Sequence, residues 1–160
     1  MQYWVDLNGD GLLDVTYIID EAQVPYLFLR LHDGEVPDML KSITNGFGLR
    51  TNLTYKPITD SSIFTKSYDS SYPVTNLQSP SYVVSVYEER DGLNGLEYSA
   101  HYHYSGLRYD LARRSILAFD QIDSTNEATG LLTSSFYRQD FPYTALPFRS
   151  EVRLSNGMVS

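Results

Sequence analysis

The sequence predicts an all-β protein, and that prediction depends on its composition and on the spacing of its turns. Fourteen tyrosines and seven phenylalanines occur among 160 residues, and aromatic and β-branched side chains favour pleated, half-buried strands. Turn sequences rich in Gly, Asn, Asp and Pro recur between short apolar runs. Helical periodicity is confined to PDMLKSI at residues 37–43, where proline suits a first turn. We expect about nine or ten strands and at most one short helix.

The expected strands follow one another at short intervals along the chain. Asn45-Gly46 separates two alternating runs, SIT and LRTNLTY, which is typical of a hairpin. The polar segment 60–80 is expected to be an ordered connection without strands, and DGLNG at residues 91–95 a turn. The remaining strands are predicted at residues 2–5, 15–19, 26–31, 82–88, 96–104, 115–123 and 131–138, with one more short strand after the prolines of DFPYTALP.

Charge and composition exclude several classes of function. The net charge is −8 and the pI about 4.7, so the surface repels phosphate backbones and nucleic-acid binding is not expected. The absence of cysteine excludes disulfides, thiol catalysis and cysteine-based zinc sites. No apolar run reaches the roughly 20 residues of a membrane-spanning helix, so direct membrane insertion is not expected. The first residues do not resemble a signal peptide, and unpartnered strands near both ends suggest a part of a larger polypeptide.

An acidic loop, DLNGDGLLD at residues 6–14, is the strongest candidate site. Asp6, Asn8 and Asp10 occupy its first, third and fifth positions, the Leu12 carbonyl the seventh, and Asp14 the ninth. The intervening glycines allow the chain to curl, so that alternate oxygens converge. Several hard oxygen ligands, some of them carboxylates, suit Ca²⁺. The sequence therefore predicts a structural calcium ion held by these five residues.

Two alternatives to a calcium loop need to be weighed. An EF-hand requires a bidentate glutamate at the twelfth position, but Tyr17 is there, so the loop is expected between two strands rather than two helices. An Asn/Asp/Gly-rich turn that never binds metal is the other possibility. Against it, three close carboxylates without a cation repel one another by something on the order of a few kcal/mol.

The sequence offers little for catalysis. His101 and His103 are two apart on a predicted strand and share a face, where Glu97 could be a third metal ligand. Packing of the alternate tyrosines, with the histidines facing solvent or a neighbouring sheet, is the simpler interpretation. The chain has no G-x-S-x-G elbow and no Gly-rich phosphate loop. We therefore expect a protein that is not an enzyme.

The acidic loop followed by VTYI resembles the calcium loops of FG-GAP β-propeller repeats. The chain from residue 6 to about residue 147 then resembles the B components of bacterial insecticidal toxin complexes and the related virulence-plasmid B proteins. Five runs in the same order carry this resemblance. They are VPDMLKSITNGFGLRTNLTYKPITD at residues 36–60, YPV at 72–74, PSYVVSVYEERDG at 80–92, YHYSG at 102–106 and YRQDFPYTALP at 137–147.

The chain departs from the family pattern at several glycines. The family run GRGFLGF is replaced here by RRSILAF, with Arg113, Ser115 and Ala118 at the glycine positions and Ile116 at the first phenylalanine. Ala145 stands where FPYTALP usually has a glycine. Because glycine adopts positive φ and allows close packing, we expect the backbone geometry near these positions to be affected.

The resemblance implies a division of the chain and a role in toxin delivery. Residues 1–36 would be the end of a calcium-binding propeller blade, and residues 37–160 antiparallel hairpins of a shell-type β-sheet region. The implied protein is a secreted, non-enzymatic part of a container for a toxic payload. Its implied partners are a pore-forming A component and a repeat-rich C component. The alternative is a free-standing, calcium-dependent β-domain that binds carbohydrate or a surface protein, with tyrosine rings stacked on sugars.

Overall fold

The computed structural model of the chain describes residues 2–21, 24–34, 36, 38–90 and 97–154. Every regular element in those ranges is a β-strand, which confirms the all-β prediction. The strands are β1 (Gln2–Val5), β2 (Asp14–Glu21), β3 (Val24–Arg30), β4 (Ser42–Thr44), β5 (Arg50–Pro57), β6 (Phe64–Thr65), β7 (Val74–Asn76), β8 (Tyr82–Arg90), β9 (Glu97–Ser105), β10 (Arg108–Asp110), β11 (Ser115–Ile116), β12 (Gln121–Asn126), β13 (Leu131–Tyr137) and β14 (Pro147–Leu154).

The short helix that residues 37–43 could have formed is absent from the described part of that window. Residues 38–41 contain no helical turn, and Ser42–Thr44 forms β4 instead. Pro37, the proposed first residue of that helix, lies outside the described residues. The hairpin with β5 determines this conformation, since β4 pairs antiparallel to β5 and a helix would remove that ladder.

Strands β1, β2 and β3 form an antiparallel sheet, here called the N-terminal sheet, in that spatial order. Directly opposed residues share a face, as Tyr17 and Phe28 do, and their rings stack with centroids 5.4 Å apart. Large apolar side chains are exposed on both faces of this sheet. On one face these are Ile18, Leu27 and Leu29, and on the other Trp4, Tyr26 and Phe28.

A second sheet, here called the main sheet, has the strand order β14-β13-β12-β9-β8-β5-β4. These neighbours are antiparallel, whereas the short β6 pairs parallel to β9 off this path. The predicted hairpin at Asn45 is confirmed, because the Asn45 side-chain oxygen accepts from the backbone N–H groups of Phe47 (2.9 Å) and Leu49 (3.0 Å). The turn predicted at residues 91–95, between β8 and β9, lies outside the described residues.

Strands β7, β10 and β11 form a third, small sheet. No strand was predicted from the sequence at the positions of β7 and β10. Residues 60–80, predicted to lack strands, contain both β6 and β7. Residues 115–123, predicted as one strand, are divided between β11 and β12. The chain turns between them at Ala118, which has a φ of +67° and so leaves the extended conformation.

Two of the replaced glycines do lie at positive φ. Ala118 has a φ of +67° and Ala145 of +65°, while Arg114 rather than Arg113 has a φ of +55°. An L-residue pays about 1–2 kcal/mol to adopt this left-handed conformation. Ala118 and Ala145 therefore adopt a backbone conformation that favours glycine.

The hydrophobic core lies where the centre of the main sheet meets the segment after β5. Its buried members are Ile58, Phe64, Tyr104 and Leu107, and the half-buried side chains packed on them are Leu77, Val83, Tyr102, Phe119 and Ile122. The Tyr104 hydroxyl donates to the Val84 carbonyl at 2.8 Å, and burial raises the pKa of Tyr104 to about 12. The described residues contain no helix that could cross a membrane.

Candidate functional site: the acidic loop

The acidic loop, residues 6–13, connects β1 to β2, and its first carboxylate organises the turn. The Asp6 carboxylate accepts the backbone N–H of Gly9 at 2.7 Å and that of Gly11 at 3.0 Å. Both glycines have positive φ, +77° and +82°, which their lack of a Cβ makes accessible. The loop is therefore folded around Asp6 by local hydrogen bonds.

The middle of the loop is also held by hydrogen bonds from backbone N–H groups to side-chain oxygens, here those of Asn8 and Asp10. The Asn8 side-chain oxygen accepts the backbone N–H of Asp10 at 3.1 Å, and its amide group donates to the Asp10 carboxylate at 2.8 Å. The Asp10 carboxylate in turn accepts the backbone N–H of Leu12 at 2.8 Å. Successive side-chain-to-backbone bonds of this kind hold a turn without any regular element.

Asp14 is the one predicted ligand that lies in the interior. It is fully buried, and its carboxylate accepts the backbone N–H groups of His32 at 2.7 Å and Leu7 at 2.8 Å. The hydrogen bond from His32, followed by that from Leu7, lowers the pKa of Asp14 below its ordinary value. Asp14 thus ties the loop to the chain that leaves β3.

The donor set of the loop has the right chemistry for calcium. Asp6, Asn8, Asp10 and Asp14 supply side-chain oxygens, Leu12 supplies a carbonyl, and a carboxylate oxygen that accepts one N–H keeps a second lone pair. Even so, over the ranges that the structure describes, no three carboxylate or histidine side chains are grouped as a metal cluster. The carboxylates are turned towards backbone N–H groups, so calcium stays a prediction for these five residues.

Two contacts of the acidic loop were not anticipated from the sequence. The Thr59 hydroxyl donates to the Gly9 carbonyl, and the Tyr82 hydroxyl donates to the Asp10 carbonyl. Burial, with the nearby charges of Asp10 and Asp6, raises the pKa of Tyr82. These partners are 50 and 72 positions away in the chain, so no local pattern could have indicated them.

The two histidines of β9 do not come together as a shared site in the described structure. The His101 ring nitrogen pairs with the Glu127 carboxylate at 2.7 Å, whereas that of His103 lies 3.3 Å from the Thr65 hydroxyl. The Glu97 side chain lies outside the described residues. Ala100 and Tyr104 on the opposite face are buried, which fits the packing interpretation.

A cavity of about 530 Å³ opens near the start of β14, lined by Arg108, Tyr137, Arg138, Gln139, Asp140 and Phe148. Its two arginines already have acidic partners. Arg108 pairs with Asp69 at 2.7 Å, and Arg138 pairs with Asp140 at 2.6 Å. The cavity therefore gives less reason to expect an anionic ligand than its arginines alone would suggest.

Comparison with known proteins connects this fold to toxins. The sequence profile of the family described as "Insecticide toxin TcdB middle/N-terminal region" matches residues 2–145. A search of curated proteins found no match. The family match includes the acidic loop, the main sheet as far as β13 and both positive-φ alanines.

Proposed function

We propose that the chain is a non-enzymatic structural segment of a toxin complex. The premise is that the chain belongs to the family of the insecticide toxin TcdB middle/N-terminal region. In this proposal it forms part of the B-type component, which is secreted and builds the container for a toxic payload. Its partners would be the pore-forming A component and the repeat-rich C component. The match over residues 2–145 is the observation that carries the proposal.

The surface of the N-terminal sheet supports a role inside a larger body. Leu27 and Leu29 are 65% and 60% exposed on one face, and Trp4 is exposed on the other. An antiparallel sheet of a free-standing protein usually has one solvated, polar face. Apolar side chains on both faces are what a blade needs when it is stacked between two others, and exposed apolar patches of this kind mark interaction surfaces.

The main sheet supports the container role in a different way. Its strands β14 and β4 lie at the two ends of the strand order, so within the described residues each has one side without a neighbouring strand. A sheet that continues into further strands at such edges can form a wall. We therefore assign residues 1–36 to a propeller blade and residues 37–160 to the shell-type sheet, the division that the sequence indicated.

We also propose that Asp6, Asn8, Asp10, Leu12 and Asp14 hold a calcium ion with a structural role. The ion would be bound by the carboxylates of the loop and would stiffen the turn. A ligand that binds the folded state alone raises stability by RT ln(1 + [L]/Kd), about 2.7 kcal/mol at a hundredfold excess over Kd. Thermal unfolding in calcium, in magnesium and in a chelator tests this, with Asn8→Ala and Asp10→Ala as variants. Equal melting temperatures in calcium and chelator would refute the calcium proposal.

The toxin proposal is tested by the protein's state in its source. Antibody raised against this 18.2 kDa chain should detect a far larger polypeptide that co-fractionates with other toxin-complex components. Purified A and C components should co-purify with that polypeptide. A band near 18.2 kDa, binding neither component, would overturn the proposal and favour a free-standing ligand-binding domain instead.

A further inference from the structure

The acidic loop makes its long-range contacts with the main sheet through two hydroxyl groups. Thr59 lies just after β5, and Tyr82 is the first residue of β8, the strand that pairs with β5. Their hydroxyls donate to the consecutive carbonyls of Gly9 and Asp10. The contact therefore joins one end of the N-terminal sheet to one end of the β5–β8 ladder.

Steric fit reinforces these hydrogen bonds. A Cβ at Gly9 would lie 3.3 Å from the Thr59 methyl group, and one at Gly11 would lie 3.0 Å from the Pro80 carbonyl oxygen. Both distances are shorter than an ordinary van der Waals contact. The loop glycines thus serve the close approach to residues 59–82 as well as the positive φ of the turn.

The covalent connection between the two sheets is the segment between β3 and β4. In its described residues, the segment between β3 and β4 contains no strand or helix. A cavity of about 370 Å³ is lined by Gly34, Val36 and Met39 from this segment and by Tyr55 and Tyr82 from the main sheet. The segment therefore leaves a gap beside Tyr82, and the contacts of the acidic loop are better placed to fix the arrangement.

We propose that the acidic loop is an intramolecular joint that connects the N-terminal sheet to the main sheet, with Thr59 and Tyr82 as its positioning residues. The two hydroxyls act by holding consecutive carbonyls, which sets the direction in which β1 and β2 leave the loop. This role concerns the contacts between described residues and does not depend on whether the loop binds calcium.

Hydrogen exchange of the full chain, read by mass spectrometry in the presence of a chelator, tests the joint. The variants are Tyr82→Phe, Thr59→Val and their combination, which remove the hydroxyls and keep the bulk. Tyr68→Phe is the matched control, because Tyr68 is 86% exposed. Loss of one such hydrogen bond is expected to raise local exchange about 5- to 10-fold in the acidic loop and the N-terminal sheet.

The pattern of exchange decides the outcome. The joint predicts faster exchange in β1–β3 and the acidic loop, with β9, β12 and β13 unchanged and the control like the parent chain. Unchanged exchange in the N-terminal sheet of the double variant would overturn the proposal. Equal acceleration throughout the main sheet would overturn it as well, since Tyr82 would then serve the sheet and not the joint. Gly11→Ala provides a second route to the same loss of contact.

Discussion

The N-terminal sheet and the main sheet are both antiparallel, yet they bury their residues in opposite ways. The main sheet covers a core of Ile58, Phe64, Tyr104 and Leu107. The N-terminal sheet carries large apolar side chains on both exposed faces, and within its described part the one fully buried side chain is the Asp14 carboxylate. The main sheet is thus organised by apolar packing, and the N-terminal sheet by hydrogen bonds at its turn.

This difference indicates which of the two sheets has a hydrophobic core within the described residues. A sheet covered by its own chain on one face has a source of stability within the molecule. A three-stranded sheet with two apolar faces gains most of its hydrophobic stabilisation only when something covers it. The comparison makes distinct predictions for the two regions, which differ in the size of the expected effect.

Removing a core ring from the main sheet should have the largest effect. Phe64 is buried and contacts Phe119 edge-on, with ring centroids 6.2 Å apart. Phe64→Ala removes this packing and leaves a cavity, so we expect the free energy of unfolding to fall by about 3–5 kcal/mol. Urea denaturation followed by circular dichroism measures the change.

Phe47→Ala is the matched control for that substitution. Phe47 is 93% exposed at the tip of the β4–β5 hairpin, and its loss should cost less than about 0.5 kcal/mol. Similar losses for the two variants would show that Phe64 contributes no more to the core than the exposed Phe47. The contrast between the two sheets would then be wrong.

Restoring glycine at the strained alanines should stabilise the main sheet and its connections. Ala118→Gly and Ala145→Gly relieve the left-handed conformation but add chain entropy to the unfolded state, so each should raise stability by about 0.5–1 kcal/mol. Ala112→Gly, at an exposed turn residue without positive φ, should not stabilise. Thermal melting distinguishes these variants, and a lower melting temperature for Ala118→Gly would contradict the explanation.

Acid should weaken the main sheet through Asp60. Hydrogen bonds from Lys56 and Ser62 lower the pKa of Asp60 to about 2, from an ordinary 3.8. Its stabilising contribution is therefore present above pH 3.8 and is lost as the pH falls towards 2. Because Lys56 and Asp60 are partly exposed, at 43% and 33%, the effect should be at most about 1 kcal/mol.

The variant Asp60→Asn should lack the part of the acid dependence that Asp60 supplies. Stability curves measured between pH 2 and pH 5 should be flatter for this variant than for the parent chain. Asp33→Asn, at an exposed carboxylate, is the control. An acid dependence that is the same in Asp60→Asn and the parent would remove Asp60 from the explanation.

The smallest effect on stability is expected from substitutions at Leu27 and Leu29, which are exposed on one face of the N-terminal sheet. Leu27→Ser with Leu29→Ser removes exposed apolar surface, so the free energy of unfolding should change by less than about 0.5 kcal/mol per residue. Self-association of the isolated chain should decrease, which analytical ultracentrifugation measures. A large loss of stability would mean that these leucines are covered within the chain and that the contrast is wrong.

The sequence predicted those parts of the fold that depend on local pattern. Alternation and turn residues located β1, the β4–β5 hairpin at Asn45, and β8 to within two residues at its ends. Of the positions where the resemblance leads us to expect glycine, Ala118 and Ala145 have positive φ, whereas Arg113 and Ser115 do not. In the acidic loop, Asp6, Asn8 and Asp10 organise a tight turn through their side-chain oxygens. Such a turn is common to the calcium loop and to the metal-free alternative, so the calcium site stays a prediction.

The remaining features depend on distant partners, and no local pattern contains them. Strand β6 is two residues long and exists because it pairs with β9 about forty positions later. Strand β7 likewise depends on β10. The burial of Asp14 depends on the N–H of His32, and the joint depends on Thr59 and Tyr82. Each of these features can be recognised only in the folded structure.

The joint also has a consequence for the order in which the chain folds. Its two hydrogen bonds span 50 and 72 positions, whereas the hairpins close over short loops and form within microseconds. A long-range contact costs loop-closure entropy before it contributes any stabilising free energy. We therefore expect the joint to close last. During synthesis the N-terminal sheet leaves the ribosome before β8, and its apolar faces are then open to chaperones. The acidic loop can complete its contacts with the main sheet only when Tyr82 has emerged.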